Sequence, residues 1–283
     1  MSHPEVIFFG NGPLADATLS VLAPAVDIIF HARSKEDLET VKSLKREHSA
    51  ALGVLASFGV MIKPDVLDLF EPEGILNLHP SLLPLYRGAS PIESAILAGD
   101  SSFSVSIMKL VRAMDAGPIY HQETLESLPL DKSAIYSALA STGAAWLVAH
   151  LKDFESLHNS SASPEQLFSG YHLQDDSKAT FTQKLDKSLS LLTPEADSAD
   201  VTLRKIVAYQ SFPKPKYNFF NQTVIILSAH ISKTCSPREL GLKCADGAYV
   251  IVDRLQPLSR KPMDARSFLN GLHNSDEEIR QKN

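Results

Sequence analysis

The sequence predicts an α/β fold, in which a Rossmann-like domain with a mainly parallel sheet precedes a small domain of antiparallel strands. Short apolar runs at residues 6–9 and 51–56 are typical of buried parallel strands, and segments with helical spacing of apolar residues separate such runs. Beyond Pro215 the pattern changes to strands divided by turn signals such as Ala245-Asp-Gly247. We therefore expect a small antiparallel barrel or sheet at the end of the chain.

The elements of the first domain alternate along the chain. We expect strands at residues 6–9, 26–30, 51–56 and 74–77, and helices between them at 14–22, 35–48 and 64–70. The continuation is expected as a helix at 92–98, strands at 104–110 and 119–124, and a long helix over 132–157. The fourth strand delivers Asn77 and His79 at its carboxyl end, where open α/β sheets bind ligands.

The chain becomes polar between residues 159 and 200, with Ser-Pro and Thr-Pro pairs that indicate connecting structure. A helix is expected at 201–209, followed by strands at 223–228, 242–245 and 248–253. These patterns predict a catalytic domain over residues 1–180, a linker over 181–204, a β domain over 205–275 and a tail over 276–283.

Composition places the chain among soluble globular proteins. It has 283 residues, of which 44% are hydrophobic and 21% charged. No apolar run approaches the ~20 residues of a membrane span, and the N-terminus lacks the basic flank of a signal peptide. Only Cys235 and Cys244 are present, without a histidine at ligand spacing, so neither a zinc site nor a disulfide framework is expected. We expect a cytoplasmic protein.

The net charge of −6 conceals an asymmetry along the chain. Residues 1–200 carry 14 Lys and Arg against 26 Asp and Glu, whereas residues 201–283 carry 13 against 7. The two parts therefore differ in sign, at −12 and +6. Either the charge varies between domains by chance, or the basic part meets phosphates.

A glycine pattern, Gly10-x-Gly12-x-x-Ala15, follows the first strand and resembles a dinucleotide fingerprint. Arg33 and Ser34 after the second strand could contact a 2′-phosphate. Pro13 removes an N–H that a pyrophosphate-binding turn would use. We therefore favour a tight strand-to-helix turn and keep a hydride-transfer enzyme as an alternative.

Asn77, His79 and Asp115 form the set that carries chemistry. When an amine attacks a formyl group, the carbonyl oxygen gains negative charge and the nitrogen must lose a proton. The Asn77 amide can donate to the oxygen, and a protonated His79, two residues along an extended segment, can stabilise the same charge. Asp115 can orient the imidazole and accept the proton. The set predicts metal-free acyl transfer to an amine.

Two motifs resemble those of the 10-formyltetrahydrofolate-dependent formyltransferases. One is residues 77–92, Asn-Leu-His-Pro-Ser-Leu-Leu-Pro-Leu-Tyr-Arg-Gly-Ala-Ser-Pro-Ile, and the other is residues 106–119, which contain Met-Asp-Ala-Gly-Pro-Ile. Residues 255–271 are similar to the branch whose acceptor is initiator methionyl-tRNA. The resemblance covers most of the chain. It implies a formyltransferase domain, a C-terminal barrel related to the OB fold, and catalytic roles for Asn77, His79 and Asp115.

The resemblance also implies 10-formyltetrahydrofolate as the formyl donor, initiator methionyl-tRNA as the partner, and no metal. Folate contacts are expected from Phe58, Gly59, Ser81, Leu82, Leu83, Pro84 and Gly117. Contacts with tRNA phosphates are expected from Arg87, Lys214, Lys216, Arg254, Arg260 and Lys261. We expect a monomer with no membrane partner.

The chain departs from the family pattern in one loop and in the barrel. The family usually has a basic, glycine- and arginine-rich loop after the second strand, whereas here residues 30–35 run directly into an acidic helix. Little sequence separates Ser236 from the next strand at Leu240. Three alternatives remain open: a formyltransferase for a nucleotide-linked amino sugar, a folate- or RNA-binding module without catalysis, and an NADP-dependent oxidoreductase.

Overall fold

The computed structural model describes residues 3–159 and 163–272. The chain folds into two compact units. The first comprises Met1–Ile92 and Ser101–Gln183, and the second comprises Glu93–Asp100 and Lys184–Asn283. The predicted tail over residues 276–283 lies outside the described residues.

The first unit alternates strands and helices, as the apolar pattern predicts. Its elements are β1 (Glu5–Phe9), α1 (Pro13–Leu22), β2 (Asp27–Ala32), α2 (Leu38–Glu47), β3 (Leu52–Leu55), α3 (Pro64–Leu67), β4 (Ile75–His79), β5 (Ser102–Lys109), β6 (Ile119–Glu126), α5 (Lys132–Asn159) and α6 (Pro164–Leu167). The helix α4 (Pro91–Ala98) begins in the first unit and continues in the second.

The six strands form one sheet in the order β2-β1-β3-β4-β5-β6. The first four strands are parallel to one another, whereas β5 is antiparallel to both β4 and β6. Every residue of β3 and β4 is buried, which explains their continuous apolar sequence. Phe9 pairs with Leu55, and Leu55 pairs with Asn77, so β1, β3 and β4 present their carboxyl ends at one edge. The predicted α/β fold class is confirmed.

The long helix α5 packs against α1 and β5 within the first unit. By length and composition its segment Lys132–His158 could cross a membrane, but the core helix of a soluble protein passes the same test. Ile135, Leu139 and Leu147 are fully buried on the face that packs against the unit. These apolar side chains of α5 therefore pack in the core of the first unit.

The connection between β2 and α2 is a short closed turn. The Asp37 carboxylate accepts hydrogen bonds from the backbone N–H groups of Arg33 and Ser34 at 2.8 and 2.9 Å. These bonds, that to Arg33 first, lower the pKa of Asp37. Because residues 33–37 form this turn, α2 begins at Leu38 and not at residue 35 as predicted. No long loop follows β2.

The second unit is built on an antiparallel sheet. Its described elements are α7 (Ala199–Ala208), β7 (Lys216–Phe219), β8 (Gln222–Ser232), β9 (Leu240–Lys243), β10 (Tyr249–Pro257) and β11 (Met263–Asp264), and residues 265–272 are helical. The order is β11-β10-β8-β7, and β9 also pairs with β10. Val224, Ile226, Val250 and Leu255 lie in its core. Within the described residues, no ladder joins β7 to β9 or β11, so the pairings define a sheet without closing it into a barrel.

Candidate active site

Asn77 and His79 lie two residues apart on β4, so their side chains point to the same face of the sheet. They are 4% and 5% exposed. Among the residues that the structure describes, none forms a hydrogen bond with the side-chain amide of Asn77. A nearly buried amide without a protein partner can bind a polar atom of a substrate.

The imidazole of His79 lies between a backbone carbonyl and a carboxylate. Its Nε2 is 3.1 Å from the carbonyl oxygen of Tyr86, and since a carbonyl only accepts, Nε2 carries the hydrogen. Its Nδ1 is 3.8 Å from Oδ1 of Asp115. This distance is too long for a direct hydrogen bond. Nδ1 and Oδ1 can therefore both reach a third atom placed between them.

The carboxylate of Asp115 is held from its other side. Oδ2 accepts the backbone N–H of Gly88 at 2.7 Å. The backbone of Asp115 has a φ of 49°, a value that residues other than glycine adopt uncommonly. Its carbonyl accepts the Nε2 amide of Gln174 at 2.8 Å. These contacts fix which oxygen faces His79.

Arg87, which the sequence predicts to contact tRNA, is buried and bonded to residues of the segment after β6. The residue is 4% exposed, and both Nε and Nη2 donate to Oε1 of Gln174 at 3.1 and 2.7 Å. Nη2 also donates to the Asp176 carboxylate at 2.7 Å. Because its guanidinium is buried and bonded within the first unit, this geometry does not support a contact between Arg87 and tRNA phosphates.

Residues 180–182 brace the loop that follows His79. The backbone N–H of Arg87 donates to the Thr180 carbonyl, and the Thr182 N–H donates to the Arg87 carbonyl, at 2.9 and 2.8 Å. The Thr180 hydroxyl accepts the N–H of Tyr86 at 2.8 Å. The polar sequence of this segment predicts connecting structure, and Gln174 and Thr180 were not predicted as site residues. Nothing in their local sequence pattern points to a site.

Ser106 anchors the predicted folate loop from the neighbouring strand. Its buried hydroxyl donates to the Ser81 carbonyl at 2.6 Å and accepts the Leu83 N–H at 3.2 Å. It also accepts from Nε2 of Gln122 at 2.9 Å, which donates to the Leu83 carbonyl at the same distance. Ser106 and Gln122 were not predicted as site residues. Together they hold the backbone of residues 81–83 in one conformation.

Of the four predicted loop residues, Leu82 presents an apolar side chain to solvent and is 40% exposed. Leu83 is buried and packs against Met108 and Ile119. The Ser81 hydroxyl donates to the carbonyl of residue 85 at 2.7 Å, and the Pro84 carbonyl accepts the N–H of residue 180 at 3.2 Å. The loop therefore offers an apolar surface, while most of its polar groups bond within the protein.

Three other predicted folate residues differ in accessibility. The Phe58 side chain is buried against Phe9, with ring centroids 5.6 Å apart. Gly59 is exposed, and no heavy atom lies within 4 Å of where a Cβ would be. At Gly117 a Cβ would overlap the carbonyl oxygen of Lys109, and the Gly117 carbonyl accepts Nε2 of Gln174 at 2.7 Å. Of these three residues, only Gly59 presents an open surface.

Within residues 3–159 and 163–272, no group of three His, Cys, Asp or Glu residues could hold a metal ion.

The remaining predicted tRNA residues all belong to the second unit. Lys214, Arg254, Arg260 and Lys261 are exposed, and Lys216 is half-buried. None of the five forms an ion pair with another described residue, whereas Arg204 and Lys205 of the same unit are paired with aspartates. These five cations remain available to an anionic partner.

Comparison with known proteins identifies the family. Residues 13–151 match the family model described as formyl transferase. Methionyl-tRNA formyltransferase from Chloroflexus aggregans is 32% identical over 259 residues, covering 85% of this chain and 77% of that protein. The enzyme of the same name from Neisseria gonorrhoeae is 30% identical over 247 residues, covering 84% and 76%.

Solved structures share the fold at lower identity. A variant of HypX from Aquifex aeolicus has a TM-score of 0.73 at 15% identity, covering 96% of this chain, which spans 48% of that protein's length. Methionyl-tRNA formyltransferase from Clostridium thermocellum has a TM-score of 0.60 at 14% identity, covering 90% of this chain and 99% of that one. WlaRD, a sugar 3N-formyltransferase, has a TM-score of 0.62 at 13% identity, covering 92% and 100%.

The α/β fold and the sequence relatives identify the chain as a group-transfer enzyme, and the chain belongs to the formyltransferase family. The relatives that establish this membership, at 30% identity or more over about three quarters of their length, are methionyl-tRNA formyltransferases. The resemblance found in the two sequence motifs is confirmed.

Proposed function

We propose that the protein transfers a formyl group from 10-formyltetrahydrofolate to the α-amino group of initiator methionyl-tRNA. The observation that carries this proposal is the spacing of Nδ1 of His79 and Oδ1 of Asp115, 3.8 Å apart beside the unpartnered amide of Asn77. Relatives named methionyl-tRNA formyltransferases support the choice of acceptor.

The folate donor supplies the formyl carbon, and the side chains of this chain stabilise the charges that develop. The Asn77 amide donates to the formyl oxygen, and its near-complete burial strengthens that bond because little water competes for it. The amino group of an aminoacyl ester is a weak base, and a free α-amine has a pKa of about 7.7–8.0. A neutral nucleophile is therefore present near pH 7 without strong activation.

Asp115 accepts the proton that the attacking nitrogen loses. Oδ1 is the oxygen that faces His79, while Oδ2 is held by the Gly88 N–H at 2.7 Å. His79 donates through Nε2 to the Tyr86 carbonyl, which fixes the ring plane. A protonated ring places a second N–H, on Nδ1, next to both the carboxylate and the reacting oxygen. His79 in this state stabilises the oxyanion while Asp115 takes the proton. The bond between the formyl carbon and the folate nitrogen then breaks, and that nitrogen takes up the proton from Asp115, so tetrahydrofolate leaves with a neutral nitrogen and Asp115 is again a carboxylate.

Features of the first unit fit a folate molecule. Leu82 offers an apolar surface for a flat ring, Gly59 leaves open space, and Ser106 keeps the loop rigid. HypX from Aquifex aeolicus in complex with tetrahydrofolic acid has the same fold, with a TM-score of 0.68 at 14% identity. These observations support residues 58–59 and 81–84 as the folate contact region, with Gly117 and the Phe58 side chain supporting its shape.

The five unpaired cations of the second unit support tRNA binding through phosphates. Lys214, Lys216, Arg254, Arg260 and Lys261 lie in the part of the chain with a net charge of +6. The short turn closed by Asp37 leaves no basic loop after β2, so the second unit carries more of this contact.

Finer features of the organisation follow from this function. We propose that the antiparallel sheet of the second unit is related to the OB fold, with a catalytic domain over residues 1–180, a linker over 181–204 and a β domain over 205–275. The boundary between the two units at Gln183 supports the first of these limits. A cytoplasmic monomer suits an enzyme whose acceptor is a charged tRNA.

One experiment separates this function from its closest competitor. The protein is incubated with 10-formyltetrahydrofolate carrying a labelled formyl group, together with initiator methionyl-tRNA and, in parallel, a dTDP-linked amino sugar. We expect label on the tRNA-bound methionine only, and labelling at least about a hundredfold slower with the Asp115→Asn variant. Label on the amino sugar alone would replace the proposed acceptor. Label on neither, with folate bound, would favour a binding module without catalysis.

A further inference from the structure

Four residues around the Asp115 carboxylate form a closed ring of bonds. The Arg87 guanidinium donates to Oε1 of Gln174, and Nε2 of Gln174 donates to the Asp115 carbonyl. Oδ2 of Asp115 accepts the N–H of Gly88, which is covalently bonded to Arg87. No member can rotate without breaking a bond to the next. The ring thus couples the orientation of the carboxylate to a residue outside both sequence motifs.

The side-chain amide of Gln174 can occupy this ring in one orientation only. Its oxygen accepts two bonds from Arg87, at 3.1 and 2.7 Å, and its nitrogen donates to the carbonyls of Asp115 and Gly117 at 2.8 and 2.7 Å. A flipped amide would place N–H groups against the guanidinium and oxygen against two carbonyls. The amide oxygen thus accepts two hydrogen bonds and the amide nitrogen donates two, so none of the four is left for a group outside the ring.

One of the two carbonyls that Gln174 binds belongs to Asp115, whose φ is 49°. This left-handed conformation is uncommon for residues other than glycine, and the hydrogen bond to the Asp115 carbonyl helps to hold it. Two hydrogen bonds from one amide fix the peptide group that follows Asp115 and the one that follows Gly117. Asp176, bonded to Nη2 of Arg87 at 2.7 Å, in turn anchors the guanidinium.

We infer that Gln174 is a positioning residue that sets the geometry between the Asp115 carboxylate and Nδ1 of His79. It touches neither reacting group, and it acts through the backbone of Asp115. The inference extends the proposed formyl transfer and rests on it for the kinetic consequence, but the geometry itself can be measured without turnover. Gln174→Glu is the informative variant, because a carboxylate retains the contact with Arg87 and loses both N–H donors.

The first test measures amide hydrogen exchange at Gly88 by NMR in the free protein. Because the Gly88 N–H is bonded to Asp115, we expect its exchange to accelerate by about tenfold or more in Gln174→Glu. Gln174→Met removes the donors without adding charge and should act in the same direction. Asp175→Asn is the matched control, since Asp175 bonds to Ser177 and Lys178 and not to the ring. Unchanged Gly88 exchange in both Gln174 variants would overturn the inference.

The second test measures single-turnover formyl transfer. Gln174→Glu should lower the rate constant by about ten- to a hundredfold with little change in the dissociation constant of the folate. Placed in an Asp115→Asn background, the same substitution should cost less than about threefold, because Gln174 acts through that carboxylate. A general structural defect would lower the rate equally in both backgrounds and would refute positioning. Failure of the wild-type protein to formylate any acceptor would refute the proposed function, while Gly88 exchange still decides the inference.

Discussion

Oδ1 of Asp115 and Nδ1 of His79 lie 3.8 Å apart, each held from behind by a backbone group, so that neither can close the gap by simple rotation. At this separation the two groups form no direct hydrogen bond with each other, and both can contact a third atom placed between them. The arrangement explains why two ionisable side chains, 6% and 13% exposed, remain poised without a direct bond.

Replacement of Asp115 by Asn tests this relationship. The amide oxygen can still accept the Gly88 N–H, so the fold should persist, but the proton acceptor is lost. We expect the rate of formyl transfer to fall by about 100- to 10,000-fold, with folate affinity nearly unchanged. Single-turnover kinetics measure the loss of rate, and a thermal unfolding curve shows whether the fold persists. A rate within a few fold of wild type would contradict the assignment of Asp115 as the base.

Replacement of Ser106 by Ala tests the anchor of the folate loop. The variant leaves the Leu83 N–H and the Ser81 carbonyl without their partner, and each buried unsatisfied group costs about 1–3 kcal/mol. We expect weaker folate binding, by about tenfold, in a calorimetric titration. Ser104→Ala is the matched control on the same strand, because the Ser104 hydroxyl bonds to Thr124 and not to the loop. Equal effects of both variants would show that Ser106 has no special part in folate binding.

The helices and strands of the first unit could be predicted because the apolar pattern along each element reflects which of its faces are buried. An apolar run such as β3 is continuous because both faces of a parallel strand are covered. The positions of Asn77 and His79 follow from the same pattern, since both lie at the end of a buried strand. Asp115 was grouped with them because a carboxylate completes the chemistry of acyl transfer and because its motif resembles one of the family, whereas its distance from His79 is not encoded by any periodicity.

The connecting segment could not be predicted, because its order comes from bonds to distant residues. Gln174 and Thr180 meet Arg87 and Tyr86, more than 80 positions earlier in the chain. Arg87 was predicted to contact phosphates, as an exposed arginine in a loop can, whereas its burial depends on those distant partners. Strand β7 was missed for a different reason. It is short, and its pairing depends on the turn at Phe220 and Asn221, whose φ values are 48° and 60°.

Neutralising Lys214, Lys216 and Lys261 together tests the role of the second unit. If each contacts a phosphate, the variant should raise the KM for methionyl-tRNA and reduce the slope of log affinity against log salt by about 2. Folate affinity should not change. Removing three charges at Lys63, Lys152 and Lys178, all exposed in the first unit, controls for net charge. Identical salt slopes for the two triple variants would indicate that general charge, and not this set of cations, attracts the tRNA.

Gly117→Ala and Gly271→Ala should change stability in opposite directions. A Cβ at residue 117 overlaps the Lys109 carbonyl, and overpacking of this kind costs about 1–3 kcal/mol. Around residue 271, which lies in a helical segment, no heavy atom is within 4 Å of the new Cβ, and alanine should add up to about 1 kcal/mol. Urea unfolding of both variants measures the difference. A neutral Gly117→Ala would show that the backbone moves aside easily, and would weaken the case for a rigid Asp115 segment.

Tyr217→Phe tests a pH-dependent contact in the second unit. The Tyr217 hydroxyl donates to the Glu195 carboxylate at 2.7 Å, and desolvation together with this bond raises the pKa of Tyr217 to about 12. The unfolded chain loses the same proton near pH 10. Between pH 10 and 12 the folded state therefore binds more protons than the unfolded state, so this contribution to stability is complete below pH 10 and falls as the pH rises.

Tyr217→Phe removes the titrating group, and we expect the free energy of unfolding of this variant to decline less steeply between pH 10 and 12 than that of wild type. Glu195→Gln, which keeps an acceptor and removes the charge, should give an intermediate slope in the same urea titrations. Parallel curves for wild type and Tyr217→Phe would mean that the hydroxyl titrates alike in both states, and that the bond to Glu195 does not hold its proton.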